Sequence, residues 1–113
     1  MASYENLNVY KEVYNLSVCL FSDISRFDRN YKFTILDKVT NIVLENLELI
    51  ILINNLNIDD RKDNFIKLEI LLERLLILIN ITNDLKLFWN TKKFLNNLEI
   101  LVKVKKMVKC WNK

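Results

Sequence analysis

The sequence predicts an all-α fold, an up-down-up-down antiparallel four-helix bundle, on three observations. Its 113 residues contain no glycine and no proline, where average usage would supply about eight and six, so turns that need positive φ or a locked φ are few. Apolar residues recur at helical spacing in four stretches, and no region sustains an alternation of period two. The polar clusters between these stretches are short, which sets consecutive helices side by side and antiparallel.

The first helix is predicted over about 5–27, with Tyr10, Val13, Tyr14, Leu20, Phe21, Ile24 and Phe27 along one face and Asp28-Arg29-Asn30 as its exit. The second runs over about 34–56. Thr34 opens it as a capping residue, its hydroxyl placed to accept from the amide of Asp37 while that carboxylate sits on the positive helix end. Asn57 or Asp59 caps the third, about 59–83, which carries Asp60 and Asp63 in its first turn. Asn90 or Thr91 caps the fourth, about 91–112. The whole chain, 1–113, reads as one domain, each helix spanning about 30 Å.

A simple bundle needs one apolar stripe per helix, and two of these helices carry two. In the third, Leu68, Leu71, Leu72, Leu75, Leu78 and Ile79 form one arc, while Ile66, Ile70, Ile77 and Ile81 lie almost opposite. In the second, Leu36, Val39, Val43, Leu47, Ile50 and Ile51 form the core arc. Ile35, Ile42, Leu49 and Leu56 recur at seven-residue spacing on another, joined by Ile53. A monomer would leave both second stripes in water. Self-association, or a permanent partner, through these nine residues is expected.

Composition argues against catalysis. The chain has no histidine, the usual general base near neutral pH and the commonest metal ligand. Glu45 with Glu48 and Glu69 with Glu73 have the spacing of di-metal bundle sites, but those sites add Glu-x-x-His. Asp59, Asp60 and Asp63 lack the glycine and distal glutamate of a calcium loop. Cys19 and Cys110 have no histidine to pair with and read as reduced thiols. No metal or other cofactor is expected. The polar N-terminus, Met1-Ala2-Ser3-Tyr4-Glu5-Asn6, lacks the order of a signal peptide, and no apolar run approaches the roughly 18 residues of a membrane span. A cytoplasmic location without membrane contact is expected.

Charge is lopsided: residues 92–113 hold seven lysines against one glutamate. Lys103, Lys105, Lys106 and Lys109 form a basic surface that suits phosphates through counterion release, or simply solubilises the helix.

Leu7-Asn8-Val9-Tyr10, Arg26-Phe27 with Arg29, Tyr31-Lys32-Phe33-Thr34, Asp37-Lys38, Leu72-Glu73-Arg74-Leu75 and Asp84-Leu85-Lys86 together resemble, in order and spacing, the accessory variability determinants (Avd) of diversity-generating retroelements. That family is related to the four-helix bundles encoded in ribosomal-RNA intervening sequences. The resemblance covers essentially the whole chain. It implies a non-enzymatic bundle assembled as a ring-shaped homopentamer, which binds a reverse transcriptase and RNA or DNA and supports mutagenic reverse transcription. It places Arg29, Lys32, Lys38, Arg74 and Lys86 on the basic binding surface. The intervening-sequence relatives imply a second reading, a structural or protein-binding bundle with no retroelement link. The chain departs from the family pattern at Leu36, Asn8 and Lys109-Cys110, where glycine, proline and a glycine pair are usual. Thr40, Leu76 and Asn80 stand where arginines are frequent.

Overall fold

The computed structural model describes residues 4–88 and 90–113, apart from the Asn6 side chain, so the opening Met1-Ala2-Ser3 lies outside the described residues. Four helices follow one another: α1 (Asn8–Ile24), α2 (Arg29–Asn55), α3 (Lys62–Asp84) and α4 (Thr91–Trp111). Short 3-10 turns, Tyr4–Asn6 and Ile58–Asp60, precede α1 and α3, and the described residues contain no strand.

Helix starts differ from the sequence expectation at three places, the first being α1, which begins at Asn8 after the Tyr4–Asn6 turn and not near residue 5. α2 begins at Arg29, with the Asp28 carboxylate accepting from the Asn30 amide at 2.9 Å, so Thr34 lies inside the helix instead of capping it. Asp28 wins because nothing between it and Thr34 breaks a helix, and its side chain satisfies one of the free amides of the first turn. α3 begins at Lys62, and neither Asn57 nor Asp59 caps it. The turn is held by Arg61, whose Nε and Nη2 donate to Leu56 O at 3.0 Å and Asn54 O at 3.4 Å. These bonds satisfy the last carbonyls of α2, and the Arg61 guanidinium also lies 5.9 Å from the Trp111 ring centre. At α4, Asn90 Oδ1 accepts from the Lys93 amide at 2.9 Å.

Each helix packs against two others in a closed cycle, α1 on α2 and α4, α3 on α2 and α4, so α1 and α3 lie on a diagonal. The body measures 45 × 22 × 21 Å. Phe65 near the start of α3 meets Trp111 at the end of α4 edge-to-face at 5.1 Å, and Asp23 late in α1 meets Asn97 early in α4. Both pairs run antiparallel. The core is filled by Leu16, Leu20, Ile50, Leu68, Leu72, Leu75, Ile79, Leu101 and their neighbours. Each such side chain contributes about 1.5–3 kcal/mol by leaving water.

The second stripe of α2 is not a free surface. Ile35 and Ile53 are buried in the chain's own core, Ile42 and Leu49 are half-buried against it, and Leu56 is half-buried at the helix end. The expectation that all five would meet another subunit is therefore corrected. On α3, Ile66, Ile70, Ile77 and Ile81 are 49%, 51%, 57% and 50% exposed. On α1, Tyr14 and Phe21, expected on one face with Val13, Leu20 and Ile24, are exposed together with Val18 while those three are buried.

Tyr10 is half-buried beside Tyr4 and Tyr14. Burial first, then the neighbouring Tyr4, Tyr14 and Glu5, raise its hydroxyl above the usual 10.0. The neutral phenol is favoured in the folded chain, so this contribution is intact below the unfolded pKa and lost as pH rises through the folded one. Thermal midpoints measured across alkaline pH are expected to fall less steeply in Tyr10→Phe than in the natural chain.

Candidate nucleic-acid interface

The α1–α2 and α3–α4 connections meet at one end of the bundle. Phe27 from the first and Phe88 from the second are both buried and pack edge-to-face at 5.5 Å, and Phe88 also meets Phe94 of α4 at 5.9 Å. The two connections are thereby held together, and with them the charges on either side of each phenylalanine. Residues 23–36 and 84–93 carry six lysines and arginines against three aspartates. Two of those aspartates are engaged: Asp28 caps α2, and Asp23 accepts from Asn97 Nδ2 at 2.7 Å.

Three of the five residues singled out by the resemblance, Arg29, Lys32 and Lys86, lie at this end. Lys38 is exposed more than two turns into α2. Arg74 sits mid-way along α3, about 18 Å further down the helix axis from Lys86 at 1.5 Å per residue. It lines a groove between α2 and α3 with Lys67, Glu45 and Glu48. The structure adds Arg26, Lys92 and Lys93 to the basic end. A sequence signal for the lysines did exist, since they occupy the first turn of α4, where the helix dipole favours acids.

Lys86 has φ 61 and is the position in the described chain where a non-glycine residue is left-handed. Its amide donates to Asn83 O at 2.9 Å, and the Leu87 amide donates to Thr82 O at 3.2 Å. This is the Schellman arrangement, in which the left-handed position is normally glycine. A lysine there raises the energy by about 1–2 kcal/mol through its Cβ.

The C-terminal lysines divide. Lys103 ion-pairs with Glu12 of α1 at 3.2 Å and Lys105 with Glu73 of α3, while Lys106 and Lys109 make no ion pair among the described residues. Lys106 lines a shallow groove with Leu7, Met107, Cys110 and Trp111. No group of three or more metal-ligating side chains occurs among the described residues. Glu45 and Glu48 face cations across the α2–α3 groove, and Glu69 and Glu73 line the α3–α4 groove with Lys105 and Lys109. No described helix is long and apolar enough to cross a membrane.

No protein-family model, curated protein or solved structure matches the chain.

Proposed function

We propose that this chain is a non-enzymatic accessory bundle that binds RNA or cDNA through its basic end and serves a reverse transcriptase in mutagenic reverse transcription. The observation that carries the nucleic-acid part is the gathering of Arg26, Arg29, Lys32, Lys86, Lys92 and Lys93 around the Phe27–Phe88 contact. Such an end neutralises several phosphates at once without reading bases, because lysine is a point charge and no extended loop reaches a groove. The reverse-transcriptase part rests on the sequence resemblance. Self-association belongs to the same reading. A ring-shaped pentamer, as the resemblance implies, would need two different patches on each copy.

One observation favours the competing reading of a structural or protein-binding bundle. Arg74 shares its groove with two glutamates, which weakens the middle of the bundle as a phosphate surface.

RNA affinity measured between about 50 and 200 mM salt separates the two, with a log-log slope of several counterions expected for the accessory factor. Lys86→Gly makes the test sharper because its two effects have opposite signs. Relief of the left-handed lysine is expected to raise stability by about 1 kcal/mol, while RNA binding weakens and the slope falls by about one. An affinity unchanged in Lys86→Gly removes that residue from the interface. Undetectable binding at about 50 mM salt leaves the structural reading.

A further inference from the structure

We propose that the α1–α2 flank of the basic end is a stacking platform for single-stranded nucleic acid, with Phe33 as its main ring and Phe21 beside it. The inference rests on the nucleic-acid part of the reading above and adds the form of the strand. Phe33 is 65% exposed and Phe21 is 36% exposed. On α1, Glu12 and Asp23 reach Lys103 and Asn97 of α4. At about 100° per residue Phe21 lies on the opposite flank of that helix, toward α2. On α2, Glu45, Leu49 and Leu52 line the groove with α3, and by the same rotation Phe33 lies on the flank toward α1. Phe21 stands close before the end of α1 and Phe33 close after the start of α2. Both are about 5–6 Å along the axis from the connection at 1.5 Å per residue. The two rings therefore share one face at one height.

Cations stand around Phe33. The Lys32 ammonium lies 5.9 Å from the ring centre, and the exposed Arg29 is one turn earlier on the same face. Arg26, also exposed, is in the connection itself. The Asp28 carboxylate between them accepts from the Asn30 amide, and Asp37, one turn beyond Phe33, ends the cationic run. Charge of this kind suits any phosphate backbone, so it does not by itself prefer one strand to two. The rings do. Base faces in a duplex are covered by their neighbours in the stack, whereas every base of a single strand offers a π-face to an aromatic side chain. At 65% exposure the Phe33 ring keeps surface that Lys32 does not cover, and a base lying on it leaves its own phosphates within reach of Arg29 and Lys32. The platform tolerates any sequence, because stacking and charge read no hydrogen-bond pattern.

Fluorescence anisotropy of the full chain with labelled oligothymidylate, and with a DNA duplex of equal phosphate count, tests this. The single strand is expected to bind about tenfold more tightly than the duplex. Phe33→Ala and Phe33→Leu are each expected to lose about tenfold in affinity for the single strand, since leucine keeps apolar area but has no π-face. Affinity for the duplex and the salt slope stay unchanged, because no phosphate contact is deleted. Phe33→Trp is expected to bind the single strand at least as well as the natural chain. The exposure of Phe33 lets all three variants fold, and their thermal midpoints check it. Equal affinity for the two ligands, or a Phe33→Leu variant that binds the single strand like the natural chain, overturns the proposal and leaves the phosphate reading standing. Binding to neither ligand overturns both. A Phe33→Ala variant with intact affinity but an altered oligomer mass in native mass spectrometry overturns the proposal and assigns this face to a second copy of the chain.

Discussion

Asn97→Asp is expected to destabilise the protein by about 3–5 kcal/mol at neutral pH, the penalty of a buried charge without a counter-ion, and to recover much of that loss on acidification. Asn97 is fully buried on α4. Its Nδ2 donates to Asp23 Oδ2 at 2.7 Å and to Lys93 O at 3.0 Å, which uses both amide hydrogens. A carboxylate at 97 has no hydrogen to give, so it sets negative oxygen against the Asp23 carboxylate and against a carbonyl. Burial and the neighbouring charge both raise the pKa of the new acid. A group with a raised folded pKa stabilises below its unfolded pKa and loses that contribution as pH rises through the folded value. Urea unfolding of Asn97→Asp at neutral and acidic pH checks both magnitude and sign. Asn97→Leu, with the same branching and no charge, is the control. It removes the acceptor Oδ1, which has no partner in the structure, and leaves only a partly exposed Asp23 without its donor. Its loss is expected to be smaller and without the recovery at low pH.

What the sequence made legible follows the helical period closely. The core arc of α3 and the isoleucines opposite it could be separated because the spacing of Ile66, Ile70, Ile77 and Ile81 stays near 3.6 residues per turn. The second stripe of α2 misled for the same reason. Strict seven-residue spacing drifts by about 20° per heptad on a straight helix. Ile35 therefore turns into the core, Ile42 and Leu49 sit at its edge, and Leu56 ends half-buried at the helix terminus. Thr34 looked like a helix start because Arg29-Asn30-Tyr31-Lys32-Phe33 has no apolar period, yet a capped helix continues through such a segment when no glycine or proline stops it. The basic end was only half visible. Arg29, Lys32 and Lys86 could be named one by one, but Arg26, Lys92 and Lys93 join them through a contact between two connections that lie far apart along the chain.

That contact carries the second large effect. Phe88→Ala is expected to lower stability by about 3–5 kcal/mol, the usual result of emptying a buried aromatic site, whereas exchange of the exposed Lys92 stays within about 0.5 kcal/mol. Phe88 is 8% exposed and Phe27 is 6% exposed, and their edge-to-face geometry, with an interplanar angle of 87°, adds about 0.5–1.5 kcal/mol beyond burial. A double-mutant cycle with Phe27→Ala isolates that pair energy, and a coupling indistinguishable from zero would show that the rings pack independently. The consequence for binding follows from position. Phe88 carries no charge, yet it holds the connection bearing Lys86, Lys92 and Lys93 against the one bearing Arg26, Arg29 and Lys32. In Phe88→Leu, which keeps most of the volume, the two connections stay together, and RNA affinity is expected to remain near that of the natural chain. In Phe88→Ala, measured well below its melting temperature, affinity is expected to fall although no phosphate contact has been deleted. Equal affinities in the two variants would mean that the charges act singly, and that their convergence at this end has no part in binding.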